Sequence, residues 1–185
     1  MKPLIVEDLV EALEELVPKG PERVQSALLG ASIRPASLQP YLFFRPGQYT
    51  RNLIQRTEDF ELLCLCWDAG TRSAVHDHSG EECFFLVHHG SFRVDNFALL
   101  EGGKGPGYAL LEHEGTLLNV GPRMVDHRSS TADIHRVSVM PGMGRAVSLH
   151  VYAKPIDRCL VYDVPNRRCG WAYSRYHSVG GQWHA

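Results

Sequence analysis

The chain has 185 residues, 44% of them hydrophobic and 22% charged, with a formal net charge of −2, which fits one domain with a sizeable core. It carries no basic run or stripe and no apolar stretch near the length of a membrane span, so neither nucleic acid nor a membrane is expected as a partner. Its five cysteines, Cys64, Cys66, Cys83, Cys159 and Cys169, lack a CxxC or a disulfide-scaffold spacing, and Glu7 and Asp8 come too early for a secretory signal; a reducing, cytoplasmic setting is expected. The first elements are helical: Ile5, Leu9, Leu13 and Leu16 recur at helical intervals, and Pro18 closes that helix. Pro21 opens a second helix ending near Gly30. After Pro35 the texture changes to short β-branched, leucine-rich and aromatic runs, predicting strands over 41–44, 50–55, 60–67, 83–88, 92–97, 116–120, 134–140, 146–152, 158–162 and 171–176. The glycine-rich segment from Gly102 to Gly107 reads as a turn, because no helical pattern follows it. The expected architecture is mainly β, with a helical cap over residues 1–35 on a small antiparallel barrel or jelly roll over 36–185, in a single domain.

Chemistry gathers in two places. In an extended segment His76 and His78 project to the same side, and His135 can supply a third imidazole from a distant strand. In 146–152, Ser148, His150 and Tyr152 share one face while Val147, Leu149 and Val151 share the other, the pattern of a barrel wall with a functional interior. Three neutral imidazoles suit zinc, iron, copper or nickel about equally. Without a carboxylate ligand such a site keeps the full charge of the ion and favours anionic ligands, thiolates included. A plainer reading also stands, since a chain with ten histidines produces a His-x-His by chance. His88, His89, His113, His127 and His184 have no comparable context and read as surface or loop residues; His177 is undecided.

The stretch from Gly70 to Gly90 resembles the first signature of the cupin barrels: glycine, five residues, His76-Asp77-His78, a gap, then a glycine. Cys83 stands where cupins usually place a glutamate ligand, and Glu82, one place early, is expected to face away. More specifically, Tyr49-Thr50-Arg51-Asn52, Cys66-Trp67, His76-Asp77-His78 with Cys83-Phe84, His135-Arg136-Val137 and the 146–152 strand occur in the order and spacing of the cysteine dioxygenases. The likeness runs from about Tyr49 to Ser178.

The resemblance implies one Fe(II) per chain, held by His76, His78 and His135. It implies that Arg51, with Tyr49 beside it, pairs with the substrate carboxylate, a task suited to arginine's planar fork. Tyr152, held by His150 with Ser148 behind it, would place its hydroxyl beside the substrate. Cys83 opens the way to a Cys83–Tyr152 thioether, and Cys159 matches a family cysteine near the site entrance. The implied reaction is cysteine catabolism: L-cysteine and O2 give cysteine sulfinic acid, the thiolate and amine of the substrate chelating iron. Taken alone, Arg51 also reads as a solvated strand arginine, the Ser148–His150–Tyr152 row as a satisfied polar cluster, and Cys83 as a small buried residue. The alternatives are a related dioxygenase using 3-mercaptopropionate or cysteamine, against which Arg51 argues, or a non-catalytic metal-binding cupin. A zinc hydrolase is a weaker third. A monomer is the expected state.

Overall fold

The computed structural model describes residues 4–29, 31–129 and 133–184. Helix α1 (Val6–Leu16) buries Val6, Leu9 and Leu13 at the anticipated spacing. Asp8 accepts a hydrogen bond from the backbone N–H of Ile5 at 3.0 Å, closing its first turn. Pro21 opens α2 (Pro21–Leu29), where a missing N–H removes nothing. Gly30, near which that helix was expected to end, lies outside the described residues. A short α3 (Pro35–Leu38) follows.

The strands are β1 (Tyr49–Arg56), β2 (Glu61–Trp67), β3 (Val75–His76), β4 (Cys83–His89), β5 (Phe92–Gly102), β6 (Gly107–Val120), β7 (Val125–Arg128), β8 (His135–Val139), β9 (Ala146–Tyr152), β10 (Arg158–Asp163), β11 (Arg168–Tyr173), β12 (Ser178–Val179) and β13 (Gln182–Trp183). One sheet runs β13-β12-β1-β2-β9-β4-β7, and the remaining strands close a ring in the order β10-β11-β6-β5-β8-β3. The chain thus adopts the expected mainly β, barrel-like architecture with helices at its N-terminus.

The sequence reading does not propose the short strands β3, β7, β12 and β13, and three of the segments it does propose differ from the structure. Residues 41–44 form no strand. Residues Gln39–Tyr41 make a 3-10 turn around Pro40, and side chains claim the following carbonyls: the Thr50 hydroxyl bonds Phe43 O, and Cys66 Sγ reaches Tyr41 O at 3.7 Å. The β5–β6 hairpin is much longer than 92–97 and 116–120, with 103–106 as its tip. The strand expected over 171–176 instead runs from Arg168 to Tyr173, after which the Ser174 hydroxyl turns to Ile156 O at 2.5 Å.

Alternation divides the seven-stranded sheet into two faces. Leu62, Cys64 and Cys66 of β2, Phe84 and Leu86 of β4, and Val147, Leu149 and Val151 of β9 pack beneath the helices with Val6, Leu9, Leu13 and Val24. The opposite residues, including Leu63, Leu65, Trp67, Cys83 and Phe85, meet Phe92, Val94, Val137 and Val139 of the ring. The chemistry lies in that second layer. Among the described residues no helix is long and apolar enough to cross a membrane.

Candidate active site

Strands β3 and β8 bring the first two histidines together, because His76 and His135 are direct antiparallel partners. His78 lies two residues on, just past the end of β3 rather than within it. Even so, the three rings form a near-equilateral triangle with centroids 5.1, 4.9 and 4.9 Å apart. One ligand atom from each lies within 4.8 Å of the others.

Hydrogen bonds decide which atoms face the centre. His76 Nδ1 donates to the Ala74 carbonyl at 3.0 Å, a contact that fixes the proton on Nδ1 and leaves the Nε2 lone pair free. His78 Nδ1 lies 2.5 Å from Asp133 Oδ1, and the same carboxylate accepts the His78 backbone N–H at 2.9 and 3.0 Å. His135 Nδ1 has no hydrogen-bond partner among the described residues, with Asp126 Oδ2 at 3.8 Å. A carboxylate or carbonyl behind a ligating histidine orients the ring and raises its basicity. Burial, then the neighbouring His78, pushes His76 down to about 3, and burial with the same neighbours drives His135 well below the ordinary imidazole range. Those two imidazoles are neutral, as metal ligation requires. Burial also works against a charge on His78, but Cys83 and Asp133 outweigh it and lift its pKa to about 10, so a metal displaces a proton there. The donor set fits a metal of the kind imidazoles bind.

Strand β9 lines the next layer. The Trp67 indole donates to Ser148 Oγ at 2.9 Å, and Ser148 Oγ lies 3.0 Å from His150 Nε2. Burial, with Arg51 nearby, holds His150 well below the ordinary imidazole range. It is therefore neutral, and its Nε2 is held by the Ser148 hydroxyl. The ring of Tyr152 sits 6.0 Å from that of His78 and 6.2 Å from that of His150. Burial, then Cys83, pushes its phenol above the usual range, keeping the hydroxyl protonated. Cys83 and Tyr152 are direct cross-strand partners on β4 and β9, and both are buried.

Arg51 on β1 places its guanidinium 5.8 Å from the Tyr152 ring centroid. Tyr49 stacks on Trp67 with centroids 4.6 Å apart. A cavity of about 120 Å³ is lined by Tyr49, Arg51, His76, Cys159 and Ser174 among others. It abuts a wider opening of about 590 Å³ that shares Tyr49, Arg51, Tyr173 and Arg175. The inner space suits a small molecule reaching His76 past Arg51. A cavity of about 610 Å³ lies behind the triad, against Asp77, Asp133 and Tyr162, but it does not include Arg51 or the triad itself. Burial pushes the Cys159 thiol at the inner mouth up to about 11.

Of the anticipated residues, Tyr49, Arg51 and His76 line the inner cavity, His78 and His135 meet His76 in the triad, and Tyr152 stands beside His78 and His150. Glu82 turns to His127, away from the triad. His127 is not a simple surface residue: it stacks on Phe84 with centroids 4.5 Å apart. His177 accepts the Arg51 backbone N–H at Nδ1, 3.1 Å away, and so braces β1. Sequence reasoning missed Asp133, the donor role of Trp67, and Glu61, a carboxylate with no solvent exposure that contacts Arg51, Arg56 and Tyr176. Only Glu61 left a signal, as an acid in a run of seven buried strand residues.

Residues 2–165 match the family model for cysteine dioxygenase type I. Cysteine dioxygenase type 1 of Rattus norvegicus is 31% identical over 185 residues, covering 98% of this chain and 90% of the relative. That of Mus musculus gives the same values, and that of Homo sapiens is 29% identical with the same coverage.

Proposed function

Because the chain belongs to the cysteine dioxygenase type I family, we infer that it oxidises the thiol of L-cysteine with O2 to cysteine sulfinic acid. The observation that carries this reading is a three-imidazole triangle whose His76 also lines a small cavity with Arg51 and Tyr49. His76, His78 and His135 would hold iron(II), which would supply the redox chemistry between a thiol and dioxygen. Arg51 binds the substrate carboxylate and fixes the thiol end towards the triad, so that positioning replaces chance encounter. Tyr49, immobilised on Trp67, narrows the approach and helps exclude water. Tyr152 keeps its phenolic proton and offers it as a hydrogen-bond donor over the sulfur, its ring flanked by His150, which the Ser148 and Trp67 bonds hold in place.

Cys83 faces Tyr152 directly across an antiparallel pair, a placement that brings side chains within about 5 Å. We place a thioether between them: the thiol hydrogen and one ring hydrogen leave, a carbon–sulfur bond forms, and O2 takes the two electrons. All five cysteines are free, which supports a reducing cytosol as the working compartment. We further propose that the chain acts as a monomeric single domain.

The test is oxygen uptake by protein reconstituted anaerobically with iron, using cysteine, cysteamine and 3-mercaptopropionate. Rapid uptake with cysteine alone is expected. Equal turnover of cysteine and cysteamine would remove Arg51 as the carboxylate partner, and no oxygen uptake with any of the three thiols by the iron-loaded protein would remove the dioxygenase reading.

A further inference from the structure

Glu61 has no place in the chemistry so far, yet its side chain is wholly buried. An ionised carboxylate removed from water is costly unless it is paired and hydrogen-bonded. Here the pairing is complete. Oε2 lies 3.1 Å from Arg56 Nη1 and accepts the Tyr176 hydroxyl at 2.7 Å, while Oε1 lies 3.4 Å from Arg51 Nη2. Glu61 is also the direct cross-strand partner of Tyr152. It thus neighbours both side chains that meet the substrate in the proposed reaction.

We infer that Glu61 is the positioning residue that orients Arg51 for a substrate carboxylate and so sets the preference for α-carboxylate thiols; this rests on the proposed dioxygenase reading. The guanidinium supports it. Nη2 is tethered to Glu61, while the buried Nε has no partner among the described residues. Glu61 holds Nη2, Tyr152 also bonds the guanidinium, and Nε keeps a donor for a ligand in the cavity that Arg51 and Tyr49 line. A long side chain with several rotatable bonds is pre-organised by such a tether, and less freedom is lost when the ligand arrives.

A competing effect exists, because the charge of Glu61 also offsets the pull of Arg51 on a second anion. Distances and exposure decide between them. The 3.4 Å contact to Arg51 is the longest of the three, and the closer Oε2 contacts belong to Arg56 and Tyr176. The other partner of Arg56, Asp157, is 80% exposed, so water screens that pair and leaves the Arg56 charge to balance Glu61. Orientation then outweighs neutralisation.

The test is anaerobic calorimetry of cysteine and cysteamine binding to the iron-loaded full chain, in the parent, Glu61→Gln and Tyr176→Phe proteins. Glu61→Gln should weaken cysteine binding about ten-fold, the scale of one charge-assisted hydrogen bond, and leave cysteamine, which lacks the carboxylate, unchanged. In turnover KM for cysteine should rise by the same factor with little change in kcat. Tyr176→Phe removes one support of the Glu61 carboxylate and should move the cysteine-to-cysteamine ratio about three-fold in the same direction. Unchanged or tighter cysteine binding in Glu61→Gln, or equal losses for both thiols, would overturn the assignment. If Glu61→Gln does not fold, an unchanged ratio in Tyr176→Phe does so instead. A parent that prefers cysteine in binding but consumes no oxygen would end the dioxygenase reading while leaving the Glu61 result to stand or fall on binding.

Discussion

The two faces of β9 make a controlled comparison within one strand. Ser148, His150 and Tyr152 point into the layer that holds the triad, while Val147, Leu149 and Val151 point under the helices. Both sets are buried, so burial alone does not separate chemistry from packing. Partners do. The inward polar groups are bonded into a row running from Trp67 through Ser148 to His150, whereas the outward set touches aliphatic neighbours. Alternation lets one backbone serve stability on one side and reactivity on the other, and substitutions on the two faces should therefore fail in different ways.

The sharpest contrast sets His135 against Leu149. Replacing His135 by alanine should abolish tight iron binding and measurable oxygen uptake while the chain stays folded. Stoichiometric iron in the purified variant would remove His135 from the ligand set. His88→Ala, at a position away from the triad, should change stability by less than about 0.5 kcal/mol and leave activity intact. Leu149→Ala should do the reverse of His135→Ala. Leu149 is 1% exposed, and truncating such a leucine costs about 2–5 kcal/mol of stability, read as a lower denaturant midpoint. Its kcat/KM per folded molecule should be unchanged; a loss of activity without a loss of stability would collapse the distinction between the faces.

Arg51→Ala comes next. Leaving a charged substrate group without its partner costs about 2–5 kcal/mol, so kcat/KM for cysteine should fall steeply while cysteamine is little affected. Parallel losses for both thiols would mean that Arg51 supports the fold rather than the substrate. Ser148→Ala is milder, because it leaves His150 and the Trp67 indole each short of one bond, an effect of about 1–3 kcal/mol in all. It should lower kcat more than it raises KM. The smallest effect is expected of Cys83→Ala: the thioether disappears from the peptide map, yet activity persists because the triad and Tyr152 remain. A map of the parent after many turnovers showing only free Cys83 and unmodified Tyr152 would defeat the crosslink alone.

What was legible in the sequence follows from the range of the interactions. The alternation in 146–152 and the helical spacing of Leu9 and Leu13 are local, and the structure keeps both. His76, His78 and His135 were readable through motif and spacing, although their convergence needs the β3–β8 register. The residues behind them were not. Asp133 reaches His78 across 55 positions and Trp67 reaches Ser148 across 81, and no local pattern marks either. The 41–44 segment misled because its aromatic residues resemble a strand, while Pro40 and the Thr50 hydroxyl divert it into a turn. The β5–β6 hairpin was underestimated for the opposite reason: Glu112, His113 and Glu114 are exposed and break the alternation, although Glu112 and His113 continue the ladder and Glu114 falls at a bulge in it.

The most direct test of the central claim, that the inward face binds iron and oxidises cysteine, is turnover of cysteine by the iron-loaded chain under isotopically heavy dioxygen. The product should be cysteine sulfinate carrying both heavy atoms from one O2, in amounts that track the iron content. Full iron loading with no cysteine-dependent oxygen uptake, or a sulfinate whose oxygens come from water, would contradict it.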